Sequence, residues 1–234
     1  NATCAPRATA TTSSSVSGSP TDTGMAARLR VGRLAGKPRP LDSAEGAAEE
    51  EMPRMLHGEH VTLRAIERED LPVLHELLDD DLELMARASD TPARPASLAE
   101  LEHRFEERLE EPDPRTMRFV IEVDDELIGE CELHFIDHFQ RTCHLGITLG
   151  RAYWSKGFGQ DAVRALVDFA FRDLAMRKIG LEVLADDERA VGAYTKAGFV
   201  EEGRLRAHAW FDGEIHDTLM MGILREEWAS GPHH

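Results

Sequence analysis

The chain has 234 residues, 41% hydrophobic and 30% charged, with a formal net charge of −17. Such fractions fit an ordinary soluble protein with room for one sizeable core, and no run approaches the roughly 18 apolar residues of a membrane helix. The acidic balance argues against nucleic acid, whose phosphates demand a basic footprint, and it suits a small cationic substrate as readily as it suits solubility.

Residues 1–55 include TATTSSSVSGSPTDTG, a Ser/Thr/Gly/Pro-rich stretch without apolar periodicity. Such a segment cannot bury enough surface to offset its ordering entropy, so a flexible low-complexity extension is expected ahead of a domain over 56–230. From His57 the pattern tightens. Val61–Ile66 alternates like a short strand. Leu71, Leu74, Leu77 and Leu78 then recur at helical spacing, with acidic residues ahead of them and Pro72 tolerated in the first turn. Ser97 and Glu100 form a capping box for a second helix, whose apolar stripe reads Leu98, Leu101, Phe105 and Leu109.

Strands follow over Arg118–Val123 and Glu126–Phe135, around a turn at Asp124 and Asp125, and again over Thr142–Leu149. The stretch YWSKGFGQDA comes next, then a helix with Val163, Leu166, Val167, Ala170 and Leu174 on one face. Lys178–Leu184 reads as a short buried strand, and ERAVGAYTKAGF as a helix ended by Gly198 in a left-handed C-cap. Two long strands, Phe199–Phe211 and Glu214–Leu224, close the chain around Asp212 and Gly213, a strong hairpin signal. The order predicts an α/β domain of about 175 residues on a mixed sheet.

The glycines of YWSKGFGQDA sit between a strand and an amphipathic helix. They allow a tight turn and close approach to a ligand, and the amides of Ser155 to Gly159 lie at the positive end of the helix dipole, a ready anion site. Lys156 adds a mobile positive charge. The spacing is neither G-x-x-x-x-G-K-[ST] nor G-x-G-x-x-G after the first strand, which disfavours a nucleotide triphosphatase or a Rossmann enzyme. By itself, GFG is equally a plain strand-to-helix turn.

WSKGFGQDAVRALVDFAF followed by KIGLEVLADDERAVGAYTKAGFVEEGRL resembles the GNAT superfamily of acyl-CoA-dependent N-acetyltransferases. TLRAIEREDL and FDGEIHD resemble its branch of ribosomal-protein N-terminal and spermidine acetyltransferases. The resemblance spans about Leu56 to Trp228 and implies a GNAT-type α/β fold, a mixed, mostly antiparallel sheet flanked by helices. It implies acetyl-CoA as co-substrate, gripped by a loop running from Trp154 through Ser155, Lys156, Gly157, Phe158 and Gly159 to Gln160. Trp154 stands where the family usually has Gln or Arg. Asp187 matches a position that often holds Asn, keeping the acceptor and losing the amide donor. The pantetheine arm would lie in a splay between Thr142–Leu149 and Lys178–Leu184, pairing with backbone groups of Ile147, Thr148 and Leu149.

Acyl transfer to an amine needs a base for the amine, a donor for the oxyanion and an acid for the leaving thiolate. Tyr194 matches the family's tyrosine acid, a phenol that stays protonated at neutral pH; a core-packed tyrosine is the alternative. Glu130, Glu132 and His134 alternate on one strand face. His144 would lie near Glu132 if the hairpin centres on His138, so Glu132 and His144 are the candidate bases. They are equally a polar pair on a solvated face, and the acids equally suit a polyamine-like ammonium. Cys131 and Cys143 project to the opposite face by strand parity, against a covalent route. With Cys4 they are too few and too irregularly spaced for a disulfide framework or zinc site. His134 and His138 have ligand-like spacing but fall at a strand end, so no metal is expected. The N-terminus lacks a secretory apolar segment, so a cytoplasmic chain with reduced thiols is expected.

The expected activity is acetylation of a primary amine on a small cationic molecule, polyamine- or aminoglycoside-like, without nucleic-acid or membrane partners. Alternatives are a protein N-terminal acetyltransferase, with or without the tail as a docking arm, and a non-catalytic acyl-CoA-binding regulatory module. A homodimer or higher homo-oligomer is expected by family analogy alone.

Overall fold

The computed structural model describes residues 55–88 and 93–230. But for Met55, the expected extension over 1–55 lies outside the described residues. The strands are β1 (Leu56–His57), β2 (Thr62–Ala65), β3 (Met117–Val123), β4 (Glu126–Asp137), β5 (Thr142–Leu149), β6 (Lys178–Leu184), β7 (Val200–Phe211) and β8 (Glu214–Leu224). They form one eight-stranded sheet in the order β1-β2-β3-β4-β5-β6-β8-β7. β5 and β6 run parallel, and every other neighbouring pair of described strands is antiparallel. The expected mixed, mostly antiparallel sheet with flanking helices is therefore the observed one.

Helices cover both faces. α1 (Leu71–Leu74), the π-helical turn His75–Asp79 that continues it, α2 (Leu82–Ala88) and α3 (Leu98–Glu110) gather Leu71, Leu74, Leu78, Leu84 and Leu101 over Val120 and Leu127 of the sheet. α4 (Phe158–Arg172) buries Val163, Leu166, Val167, Ala170 and Phe171 in the main core, with Ile121, Ile128 and Leu133. Val120 and Ile121 are neighbours in β3 yet belong to different cores, because successive strand side chains point to opposite faces. Each large apolar side chain so buried is worth about 1.5–3 kcal/mol, so α4 is the main anchor of its face. α5 (Glu188–Lys196) and α6 (Arg225–Ser230) complete the set.

Local chemistry explains the boundaries. The Ser97 hydroxyl accepts from the Glu100 amide, and the Glu100 carboxylate accepts from the Ser97 amide, at 3.2 and 2.9 Å. Asp124 and Asp125 take φ of 51° and 64°, and Asp212 and Gly213 take 49° and 78°, the left-handed pairs that tight hairpins require. Gly198, at φ 98°, ends α5 as the sequence predicts. The Asp161 carboxylate, in the first turn of α4, accepts from the amides of Glu59, His60 and Val61 at 2.8, 2.7 and 3.0 Å. It thereby ties the β1–β2 turn to the start of α4.

Three features depart from the sequence reading. α2 was not expected; its cap, Asp81 accepting from the Leu84 amide at 2.9 Å, is hidden in a run of three aspartates. The α3 stripe is rotated: Leu109 is 63% exposed, while Arg104 and Arg108 share the inward face with Leu101 and Phe105. The β4–β5 register also differs. Glu132 faces Gly146, and His144 faces His134, because a bulge between His134 and Asp137 moves the turn past His138.

Candidate active site

Backbone topology opens the site. β5 and β6 pair over Thr142–His144 and Lys178–Gly180. Beyond that point β5 stays with β4, and β6 stays with β8. The parting strands leave a cavity of about 390 Å³, walled by Leu145–Leu149 on one side and Glu182–Leu184 on the other. Ile147, Thr148 and Leu149 therefore stand where the splay was expected.

At its mouth the chain turns through Arg151–Tyr153 into α4. Ser155 and Gly157 take φ of 58° and 91°. Gly157 is the α4 N-cap and has no side chain to satisfy the first-turn amides. Those amides are left for an outside acceptor, at the positive end of the helix. A Cβ on Gly157 would meet nothing within 4 Å, so it is the positive φ and not crowding inside the protein that favours glycine here. At Gly159 a Cβ would come within 3.3 Å of Leu149 Cδ1, so there the glycine lets the helix approach β5. Phe158 packs on the main core, Lys156 Nζ lies 5.4 Å from the centre of the Tyr153 ring, and Gln160 Nε2 donates to the Lys196 carbonyl at 3.4 Å.

Trp154 links three parts of this mouth. Its indole N–H donates to the Leu149 carbonyl at 2.8 Å. The Arg189 guanidinium lies 4.0 Å and that of Arg151 5.3 Å from its ring centre. Arg151 is in turn paired with Asp81 and Glu83. The end of β5, the loop and the start of α5 are thus joined through one side chain. Asp187 is the α5 N-cap, accepting from the Ala190 amide at 2.9 Å and pairing with Arg189 at 3.4 Å. The carboxylate that replaces an amide here is engaged in capping its own helix, a role worth about 1 kcal/mol.

Tyr194 reaches the same cavity from α5 and is 8% exposed, its ring packed edge-on against Phe199 at 6.0 Å. Burial, with the Asp187 charge beside it, pushes its hydroxyl up to about 12. The phenol stays protonated across the working pH range and is able to donate.

Across the cavity lie β4 and α3. Glu130 and Glu132 both line it, with Asp79, Arg104, Arg108 and Arg118. The two glutamates differ. The His134 ring, 3.1 Å from Glu132, and Arg118, also at 3.1 Å, hold the Glu132 carboxyl below the usual range despite its burial. Glu130 has no such partner among the described residues, and burial raises its carboxyl. Glu130 is thus the more basic of the two carboxylates. His144 does not line the cavity. Its ring lies against His134, Phe135 and the Gly180 backbone, and burial followed by the His134 charge lowers its pKa. Cys131 and Cys143 are buried in the main core, and burial raises both thiols.

A family model described as an acetyltransferase (GNAT) domain matches residues 60–200. The chain belongs to the GNAT acetyltransferase family. It is therefore an acyltransferase. A spermidine N(1)-acetyltransferase of Vibrio cholerae is 32% identical over 169 residues, which cover 72% of this chain and 95% of that one. A putative ribosomal N-acetyltransferase of Bacillus subtilis is 24% identical over 172 residues, covering 73% and 94%. The crystal structure of a Vibrio cholerae spermidine N-acetyltransferase with CoA and spermine superposes with a TM-score of 0.66 at 31% identity, covering 73% of this chain and 99% of that one.

In this GNAT acetyltransferase, Ile147, Thr148, Leu149, Trp154, Gly159, Asp187 and Tyr194 line the cavity, while Ser155, Lys156, Gly157, Phe158 and Gln160 form the turn and first residues of α4 beside it. Arg108 and Asp79 escaped the sequence reading, and Glu130 was seen without being singled out. The signal for Arg108 was present: it lies seven residues after Leu101, nearer the centre of the inward face than Leu109.

Proposed function

We propose that residues 56–230 transfer the acetyl group of acetyl-CoA to the primary amine of a small molecule, by direct attack within a ternary complex. The α4 amides and Lys156 take the pyrophosphate, and the free edge of β5 takes the pantetheine arm. Glu130, through water, first takes a proton from the substrate ammonium, and the neutral amine then attacks the thioester carbonyl. As the C–N bond forms and the C–S bond breaks, Tyr194 gives its proton to the departing thiolate, and the second proton lost by the amine nitrogen restores the phenol through water. The observation that carries this reading is the buried Tyr194 in the wall of the cavity whose opposite wall holds Glu130.

Polyamines are the acceptor class that the relatives' names suggest, and Glu130, Glu132 and Asp79 suit an ammonium group. Release of CoA from acetyl-CoA, measured across spermidine, aminoglycosides, amino acids and short peptides, tests the proposal. Turnover with a small amine is the expected result. Acetylation of peptide N-termini alone would favour the second reading, a protein N-terminal acetyltransferase. Binding of acetyl-CoA with no turnover of any amine would favour a non-catalytic module.

A further inference from the structure

We infer that the amine accepted here also carries a carboxylate, which Arg108 holds. This rests on the acetyl-transfer reading and narrows its acceptor to an amino carboxylate.

The cavity is not uniformly acidic on the acceptor side. Arg104, Arg108 and Arg118 all face it. Arg104 is paired with Asp79 at 3.7 Å, and Arg118 with Glu132 at 3.1 Å. Arg108 is different. Its Nε donates to the Arg104 carbonyl at 2.8 Å, and no carboxylate of the described residues comes within ion-pair distance of it. Its two terminal nitrogens have no hydrogen-bond acceptor among the described residues. A half-buried guanidinium without a carboxylate in contact is costly, and burial with the neighbouring Arg118 lowers its pKa. The adjacent apolar residue, Leu109, is turned to solvent while Arg108 faces inward. Packing alone would favour the reverse arrangement.

Glu130 is the matching case of opposite sign, a carboxyl in the same cavity with no cation of the described residues in ion-pair distance. Each feels the other's charge without contact. An acceptor with an ammonium at Glu130 and an anion at Arg108 satisfies both. The planar guanidinium fork suits a carboxylate, bound through two parallel hydrogen bonds. A phosphate dianion would meet stronger repulsion from Glu130, Glu132 and Asp79. A polyamine has no group to answer Arg108.

The test compares kcat/KM for a series of α-, β- and ω-amino acids with that for their own carboxamides, and with spermidine as an anion-free amine. At least one carboxylate is expected to exceed its amide by about 10-fold or more. In Arg108→Gln that preference falls to about 2-fold or less, and Arg108→Lys restores part of it. Calorimetry with acetyl-CoA is run on every variant and is expected to show unchanged affinity. Spermidine outperforming every amino carboxylate, or a preference that survives Arg108→Gln, overturns the inference. So does acetyl-CoA binding without acetylation of any amino carboxylate. Failure of the wild type to bind acetyl-CoA overturns the acetyl-transfer reading itself.

Discussion

The two walls of the cavity are built from different materials. On the proposed function, the wall that takes the cofactor is made of backbone: the edge of β5 that parts from β6, the left-handed turn at Ser155 and Gly157, and the uncapped first turn of α4. The acceptor wall is made of side chains, with Asp79, Glu130 and Glu132 set among Arg104, Arg108 and Arg118. Backbone geometry demands particular residues at fixed spacing, so it leaves a motif. A wall of charged side chains is set by rotamers and helix rotation, and nearly any residue pattern is compatible with it. This is why similarity to spermidine acetyltransferases speaks clearly about acetyl transfer and weakly about the amine.

Tyr194 lines the cavity from α5, and its loss should have the largest effect. Tyr194→Phe keeps the packing against Phe199 and removes the proton donor. Turnover should fall by about 10- to 1,000-fold while calorimetry shows acetyl-CoA still bound. Unchanged turnover would reduce Tyr194 to a core residue. Because its pKa is pushed up to about 12, it should contribute no descending limb to kcat below about pH 10.

The same contrast governs what was legible in the sequence. The strands β3 to β8, α4, α5 and the loop between β5 and α4 announced themselves by alternation, by 3.6-residue periodicity and by glycines in the left-handed region. The splay was expected from family resemblance and appears as the end of pairing at His144 and Gly180. The acceptor wall was read less well for two physical reasons. A bulge between His134 and Asp137 is invisible to simple alternation, yet it moves His144 from Glu132 to His134. An apolar stripe drawn through Leu109 overlooks the cavity-lining Arg108, because turning a guanidinium inward violates the rule by which stripes are read. In the sequence Trp154 stands out only as a departure from the usual Gln or Arg; the structure joins it to Leu149, Arg151 and Arg189.

A change on the acceptor wall should produce the second-largest effect. Glu130→Gln should lower kcat/KM by about 10- to 100-fold at neutral pH. The base works deprotonated, so activity in the wild type should fall as pH drops through the Glu130 pKa. Burial raises that pKa, which places the limb above the ordinary glutamate value of about 4.3. In Glu130→Gln the limb should vanish from the pH profile. His144→Gln is the natural control: a ring outside the cavity should leave both kcat/KM and the limb nearly unchanged. If His144→Gln removes the limb instead, the base is the imidazole, and the bulged register does not separate it from the chemistry.

The smallest expected effect belongs to the cofactor wall, because a surface made of many amides tolerates damage at one of them. Gly157→Val places a β-branched residue at φ 91°, where the cost is about 1–3 kcal/mol of backbone strain, and directs a side chain into the space a phosphate must enter. Acetyl-CoA affinity should fall by about 10-fold, while kcat at saturating acetyl-CoA changes little, since Tyr194 and Glu130 lie elsewhere. Gly157→Ala should fall between the two, retaining the strain with a smaller obstruction. Calorimetry and a thermal melt separate the parts: lost affinity with a modest drop in melting temperature indicates obstruction of the ligand. A large drop in melting temperature with affinity retained would mean that Gly157 serves the turn alone, and that the phosphate binds elsewhere.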